Sequence, residues 1–203
     1  MYQQHSLTEF LDQLASASPT PGGGSAAAVM GSMGAALVSM VANLTIGKPG
    51  YQEVEPQMRE LLERSEALRQ RLLAAIDDDI AAFNQVMAAY RLPKDDPERG
   101  GKIQTALKSA TDAPLACARL CGEVIGLCQT AAESGNVNVI SDAGVGVLAA
   151  QAALKSCAIN VIVNLNAIRD RAFVEDRRRL LDDLLNGKDH EVETLYQLVL
   201  KKL

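Results

Sequence analysis

One aspartate interrupts a long apolar helical stripe. Over residues 53–90, apolar side chains recur every three or four positions, and the register that joins Ile76 to Phe83 places Asp79 between them. Burying an unpaired carboxylate is costly, so such a residue is paired with a cation, protonated, or turned towards a polar cavity. Asp79 is therefore a candidate catalytic carboxylate. A buried ion pair with Lys or Arg from another helix is the competing structural interpretation.

Three consecutive glycines precede a helix of small residues. Two prolines and Gly22-Gly23-Gly24 bar regular structure there, and Ser25 is expected to cap the helix that follows. Free backbone amides at a helix N-terminus attract anions, so the glycine turn is a candidate anion site. A tight turn followed by an N-cap is the simpler interpretation. The spacing is not that of a P-loop, which argues against nucleotide hydrolysis.

Three thiols share one face of a predicted helix. Cys117, Cys121 and Cys128 are four and seven positions apart, a spacing that would also suit metal ligands. Zinc needs further Cys or His ligands, and the histidines are only His5 and His190, near the two ends. Buried apolar thiols are the favoured interpretation, and the shortage of histidine argues against Ser-His-Asp or Cys-His catalysis. Four cysteines at these positions do not suggest a disulfide framework, so we expect a reducing cytoplasm.

The composition and the apolar spacing predict that these candidate residues are carried by helices. Aromatic residues are only 3% of the chain, and the alanine and leucine that replace them favour helices over strands. Apolar periods and helix breakers predict one all-α domain, residues 1–203, with seven or eight helices. They are expected at about 7–14, 25–46, 53–90, 103–114, 115–132, 143–168, 171–185 and 191–202, with a kink or restart at Pro114.

Two of these helices are almost free of charge. Residues 26–46 are long enough to span a bilayer, but their small residues and missing aromatic belt favour a buried central helix. Residues 143–168 carry a single charge, Lys155, and present Asn160 and Asn164 on one face. These two amides either bond a neighbouring helix or contact a ligand. The uncharged faces exceed what one small domain covers, which predicts a homodimer.

Net charge and the N-terminal segment bear on partners and location. The net charge is −5, from 25 acidic and 20 basic residues, which argues against a nucleic-acid partner. The first residues lack the basic and apolar regions of a signal peptide. We therefore expect a cytoplasmic protein without a membrane partner.

Short motifs along nearly the whole chain resemble the cyclodeaminase/cyclohydrolase family of folate enzymes. They are Ser18-Pro19-Thr20-Pro21-Gly22-Gly23-Gly24-Ser25, Asn43-Leu44-Thr45-Ile46-Gly47-Lys48, Asp79-Ile80-Ala81-Ala82-Phe83, Leu92-Pro93-Lys94, Gly135-Asn136, Ser141-Asp142 and Asn160-Val161 with Asn164-Leu165. The resemblance implies an all-α multihelical bundle with a long central helix, in an intertwined homodimer that binds folate near its interface. The loop from Asp95 to Gly101 is shorter than in relatives.

The same resemblance implies a reaction and a set of site residues. It makes Asp79 the catalytic carboxylate that hydrolyses 5,10-methenyltetrahydrofolate to 10-formyltetrahydrofolate. Lys48 is expected to pair with Asp79 or to hold a folate carboxylate. The glycine turn is expected to receive an anionic part of the ligand, and no metal or redox cofactor is implied. The expected substrate contacts are Pro21, Gly22, Gly23, Gly24, Ser25, Asn136, Ser141, Asp142 and Asn164.

Two other functions fit the resemblance. One is ammonia-releasing ring closure of formiminotetrahydrofolate, a cyclodeaminase reaction, and the other is folate binding without turnover. No formiminotransferase sequence precedes the match within the 203 residues, so we expect the cyclohydrolase activity. An acid retained in the apolar stripe disfavours a scaffold without catalysis.

Overall fold

Seven α-helices make up most of residues 6–203, the part of the chain that this computed structural model describes. They are α1 (Leu7–Leu14), α2 (Gly23–Asn43), α3 (Glu55–Tyr90), α4 (Arg99–Ser134), α5 (Ile140–Leu165), α6 (Arg171–Leu185) and α7 (Lys188–Lys202). Short 3-10 turns, Gln52–Val54 and Val137–Val139, precede α3 and α5. The described residues contain no strand, so the predicted all-α class is confirmed. His5 lies outside the described residues.

Four helices form the centre of the fold. Each of α2, α3, α4 and α5 packs against its neighbours in the bundle, and α7 lies against α4 and α5. The apolar stripe of α3 faces this core as predicted; its buried members are Met58, Leu61, Leu68, Leu72 and Ile76. The long helix therefore presents Asp79, one turn beyond Ile76, on the side of the molecule that α2 and α4 cover.

Small residues allow α2 and α5 to approach closely. A Cβ atom placed on Gly34 would lie 2.9 Å from the carbonyl oxygen of Gly146, and a Cβ on Gly146 would lie 3.3 Å from the Gly34 carbonyl. Neither position has room for a larger side chain without separating the two backbones. This close contact between α2 and α5 explains why both helices are rich in glycine and alanine.

The start of α2 and the continuity of α4 differ from the sequence predictions. α2 begins at Gly23 with Gly22 as its N-cap, so the prediction that Ser25 caps it is wrong. α4 runs without a break through Pro114, where a kink or restart was expected. At the start of α1, Ser6 and Glu9 form a capping box, in which each residue's side chain bonds the other's backbone amide.

Three segments are long and apolar enough to cross a membrane by length and composition alone. They are Gly23–Asn43, Arg99–Ser134 and Val137–Leu165. In the described fold, 61%, 61% and 44% of their most apolar stretches are buried inside the protein. The first two are thus covered mainly by protein, and the third leaves more of its surface open.

Candidate active site

Asp79 lies in a cavity of about 330 Å³ between α2, α3, α4 and α5. The cavity is lined by Pro19, Thr20, Gly22, Gly23, Gly24, Asp79, Ala82, Phe83, Val86, Ala110, Pro114, Asn160, Val163 and Asn164. Asp79 is the single ionisable residue of this lining. The cavity is within the usual size range of ligand pockets and combines apolar walls with a few polar groups.

The carboxylate of Asp79 is held at the N-terminus of α2. Ser25 Oγ donates a hydrogen bond of 2.8 Å to Asp79 Oδ2, and the Ser25 backbone amide also bonds the carboxylate. No cation forms an ion pair with Asp79 among residues 6–203. Within one chain, Asp79 is therefore not half of a buried ion pair, and it faces a polar cavity instead.

Burial raises the pKa of Asp79 above its ordinary value of 3.8. The two bonds from Ser25 act in the opposite direction because they favour the charged carboxylate, and a thiolate at Cys117 would raise the pKa further. Burial outweighs the hydrogen bonds. An aspartate with a raised pKa is a stronger base than an ordinary one, which suits it to accept a proton from water.

Glycine is required at position 24 because the carboxylate occupies the space of a side chain. A Cβ atom built on Gly24 would lie 2.6 Å from Asp79 Cγ, well inside van der Waals contact. At Gly23 the nearest atoms to such a Cβ would be the amide atoms of Asn160, at 3.8 Å. The glycine turn thus brings backbone against Asp79 at Gly24 and leaves room for a side chain at Gly23.

The predicted contacts of the glycine turn separate into two groups. Gly22, Gly23 and Gly24 line the cavity. Pro21 is buried and outside the cavity lining, and Ser25 is fully buried beneath Asp79. At Ser25, the backbone amide that was expected to bind an anion of the ligand bonds the carboxylate of Asp79. Ser25 thus positions Asp79 and is not part of the cavity lining, so its predicted contact with substrate stays a prediction.

Asn164 lines the cavity and also donates a hydrogen bond to the backbone of α4. Pro114 has no amide hydrogen, so the carbonyl of Ala110 lacks its usual partner in the helix. Asn164 Nδ2 donates to that carbonyl at 2.6 Å. This bond satisfies the carbonyl that Pro114 leaves free in the unbroken α4, and Asn164 also lines the cavity.

Other lining residues were not among the predicted contacts. Asn160 lies one turn before Asn164, and its Nδ2 bonds the Ser156 carbonyl of its own helix. Their spacing of four residues was the signal that both face one way. Phe83 and Val86 line the cavity although the apolar stripe predicted them as core. A stripe shows which residues share a face, and it does not show whether that face meets a helix or a cavity.

Lys48 and Asn136 lie at the opposite end of α2. Lys48 Nζ donates to Asn136 Oδ1 at 2.8 Å, and Asn136 Nδ2 bonds the carbonyl of Leu44. The 21 residues of α2 put this cluster roughly 30 Å from Asp79. The expected pairing of Lys48 with Asp79 is therefore wrong within one chain, and Asn136 does not reach the cavity around Asp79.

Ser141 and Asp142 are also far from Asp79. Both lie in the first turn of α5, whereas Asn160 and Asn164 lie near its other end. The length of α5 separates the two groups by roughly 30 Å. The structure thus divides the predicted residues into one set around Asp79 and another near Lys48.

The remaining predicted features are the shortened loop and the thiols. Arg99 begins α4, so Gly100 and Gly101 belong to its first turn, and neither lines the cavity around Asp79. Within residues 6–203, the only group of three or more clustered metal-ligating side chains is formed by Cys117, Cys121 and Cys157.

Comparison with known proteins shows a family for this fold and site. The sequence model of the Formiminotransferase-cyclodeaminase family matches residues 6–183. A crystal structure of formiminotetrahydrofolate cyclodeaminase from Thermotoga maritima superposes with a TM-score of 0.87 and 34% identity, covering 100% of this chain and 98% of that one. The chain belongs to the formiminotransferase-cyclodeaminase family.

Two curated relatives represent the different lengths found in this family. A methenyltetrahydrofolate cyclohydrolase from Methylorubrum extorquens is 54% identical over 207 residues, and the match covers 100% of both chains. A formimidoyltransferase-cyclodeaminase from Rattus norvegicus is 32% identical over 202 residues, covering 98% of this chain and 37% of the relative. The chain therefore matches the first relative in full and corresponds to about a third of the second.

Proposed function

We propose that the chain is a methenyltetrahydrofolate cyclohydrolase, which converts 5,10-methenyltetrahydrofolate to 10-formyltetrahydrofolate. The observation that carries the proposal is the carboxylate of Asp79, the single ionisable group of a cavity between four helices, held by Ser25. The full-length relative at 54% identity that bears this name supports it.

The chemistry of the substrate suits this carboxylate. The methenyl bridge is part of a delocalised amidinium cation, so its carbon is electrophilic and its positive charge favours a nearby anion. Asp79 accepts a proton as water adds to the bridging carbon, which gives a carbinolamine. Cleavage of one carbon–nitrogen bond of that carbinolamine leaves the formyl group on the other nitrogen.

Cyclodeaminase activity is the second candidate, because the solved relative and the curated relatives of about 32% identity carry that name. Parallel assays separate the two. One follows the loss of methenyltetrahydrofolate absorbance, and the other follows ammonia released from formiminotetrahydrofolate. The proposal expects the higher kcat/KM in the first assay. Faster ammonia release would replace it with the deaminase, and no turnover in either would leave a folate-binding protein.

We also propose a homodimer formed through α2 and α5. Both helices expose large apolar side chains to solvent in the single chain; these are Met33, Met40, Val145, Leu148, Ile159, Ile162 and Val163. Covering them with a second copy removes this surface from water. Light scattering at micromolar concentration tests the dimer, and a monomer would refute it.

An antiparallel arrangement of the α2 helices would also bring the two separated sets of predicted residues together. The partner subunit's Lys48 would then lie beside Asp79 and could hold a folate carboxylate. Mixing Asp79→Asn and Lys48→Met chains tests this, since a mixed dimer then contains one intact site. Activity that neither parent has supports sharing between subunits. Mixed dimers without activity would refute a site shared between subunits.

Location and cofactors follow the same proposal. Folate chemistry and free thiols fit a cytoplasmic enzyme, and we propose tetrahydrofolate derivatives as the only small-molecule partners, with no cofactor, nucleic acid or membrane. Turnover that is unchanged after prolonged dialysis against a chelator would support catalysis without a metal. Activity lost on chelation and restored by a metal ion would contradict it.

A further inference from the structure

Three buried thiols converge behind the cavity. The Sγ atoms of Cys117 and Cys121 on α4 and of Cys157 on α5 all lie within 4.8 Å of one another. Cys128, the fourth cysteine, is buried in the same helix but is not part of this group. Sequence spacing had grouped Cys128 with Cys117 and Cys121; the fold replaces it with a residue from another helix.

The thiol group packs against the backbone of α2 and lies close in sequence to a residue of the cavity lining. A Cβ atom on Gly31 of α2 would lie 2.9 Å from Cys121 Sγ, so this glycine makes room for the sulfur. Cys117 follows Pro114, a lining residue, by three positions and is within electrostatic reach of Asp79. Cys117 therefore lies about one helical turn from a residue of the cavity lining.

Three sulfurs at this spacing can surround one central atom. Thiolates prefer soft, thiophilic ions, and a structural zinc site would need a fourth ligand that no His, Asp or Glu of residues 6–203 supplies to this group. The net charge of the three thiolates and the bound ion then decides which ions the site favours. Three thiolates around a monovalent or divalent ion leave net negative charge in an apolar interior beside Asp79, which is costly. Around a trivalent ion they leave none.

We propose that Cys117, Cys121 and Cys157 form a binding site for one trivalent thiophilic ion, with arsenic(III) as its representative. The balanced reaction joins arsenous acid to three thiols. Three arsenic–sulfur bonds form, three arsenic–hydroxyl bonds break, and the three thiol protons leave with the hydroxyls as three water molecules. No atom is oxidised or reduced.

Arsenite titration of the reduced, intact protein tests the site. Bound arsenic is counted by elemental analysis after desalting, and the arsenic–sulfur absorption in the near ultraviolet reports the bonds. Wild type should bind one equivalent. Cys157→Ala should weaken binding at least about tenfold, because one of three bonds is lost. Cys128→Ala is the matched control, since it removes a buried thiol of α4 outside the group and should bind like wild type.

The same titrations contain the outcomes that overturn the proposal. Absence of bound arsenic, or equal weakening by Cys128→Ala and Cys157→Ala, would remove the site. Tighter binding of copper(I) or zinc(II) than of arsenite would refute the choice of a trivalent ion. Thermal unfolding of each variant is measured first. If Cys157→Ala does not fold, Cys157→Ser and Cys121→Ala replace it, because either also leaves only two sulfurs.

Discussion

Replacing Gly24 by alanine should slow catalysis without unfolding the protein. The added Cβ would lie 2.6 Å from Asp79 Cγ, whereas ordinary contact begins at 3.4 Å. The carboxylate must therefore retreat by roughly 1 Å, which disturbs its 2.8 Å bond to Ser25. A displacement of about 1 Å at a reacting group costs on the order of 100-fold in rate. The helix gains about 1 kcal/mol from alanine, which offsets part of the crowding.

Gly23→Ala is the matched control for this experiment. Its Cβ would meet no atom closer than 3.8 Å, and it makes the same change one position earlier in the same helical turn. Steady-state kinetics on methenyltetrahydrofolate and thermal unfolding are measured for both variants. We expect a large fall in kcat for Gly24→Ala and a small one for Gly23→Ala. Equal kcat values in the two variants would refute the placement of Asp79 against the backbone of α2.

Three further predictions concern Asp79 and its surroundings. Ser25→Ala removes a bond that lowers the pKa of Asp79, so the acidic limb of the kcat/KM profile should move to higher pH; an unmoved limb contradicts this. Burial raises the folded-state pKa of Asp79, so the folded protein favours the protonated carboxyl. The resulting stabilisation is fully present below pH 3.8, the ordinary pKa, and is lost as the pH rises through the raised pKa. Asp79→Asn should therefore raise the thermal midpoint more at neutral than at acidic pH. Asn164→Leu should lower the free energy of unfolding, measured with urea, by about 1–3 kcal/mol, because the Ala110 carbonyl loses its hydrogen bond. Asn160→Leu should lower it less, and equal losses would contradict the role of Asn164 at Pro114.

The sequence was sufficient to predict the all-α class and the place of Asp79 on the core-facing side of α3. Apolar spacing on α3 predicts a core-facing stripe, and a carboxylate in that stripe stands out because burying it costs energy. The unbroken path of α4 through Pro114 was not predictable, because it depends on Asn164, 50 positions away in sequence. Local signals describe one helix at a time, and this bond joins two.

The assignment of roles within the site also required the fold. Ser25 follows a glycine turn, so capping was the local interpretation, yet its hydroxyl bonds a residue 54 positions away. Lys48 and Asp79 both belong to motifs of the family, which suggested contact, but the length of α2 keeps them apart in one chain. Motifs identify residues that matter together in a protein; they do not show whether one chain brings them together.

The most direct test of the account is the kcat of Asp79→Asn on methenyltetrahydrofolate, read together with its thermal midpoint. Asparagine has nearly the same shape but neither accepts a proton nor carries charge. We expect kcat to fall by about 10²–10⁴ with the fold intact. Asp78→Asn, at the exposed neighbouring position, should retain activity. Near-normal kcat in Asp79→Asn together with a large fall in the thermal midpoint would contradict the account and make Asp79 a structural residue.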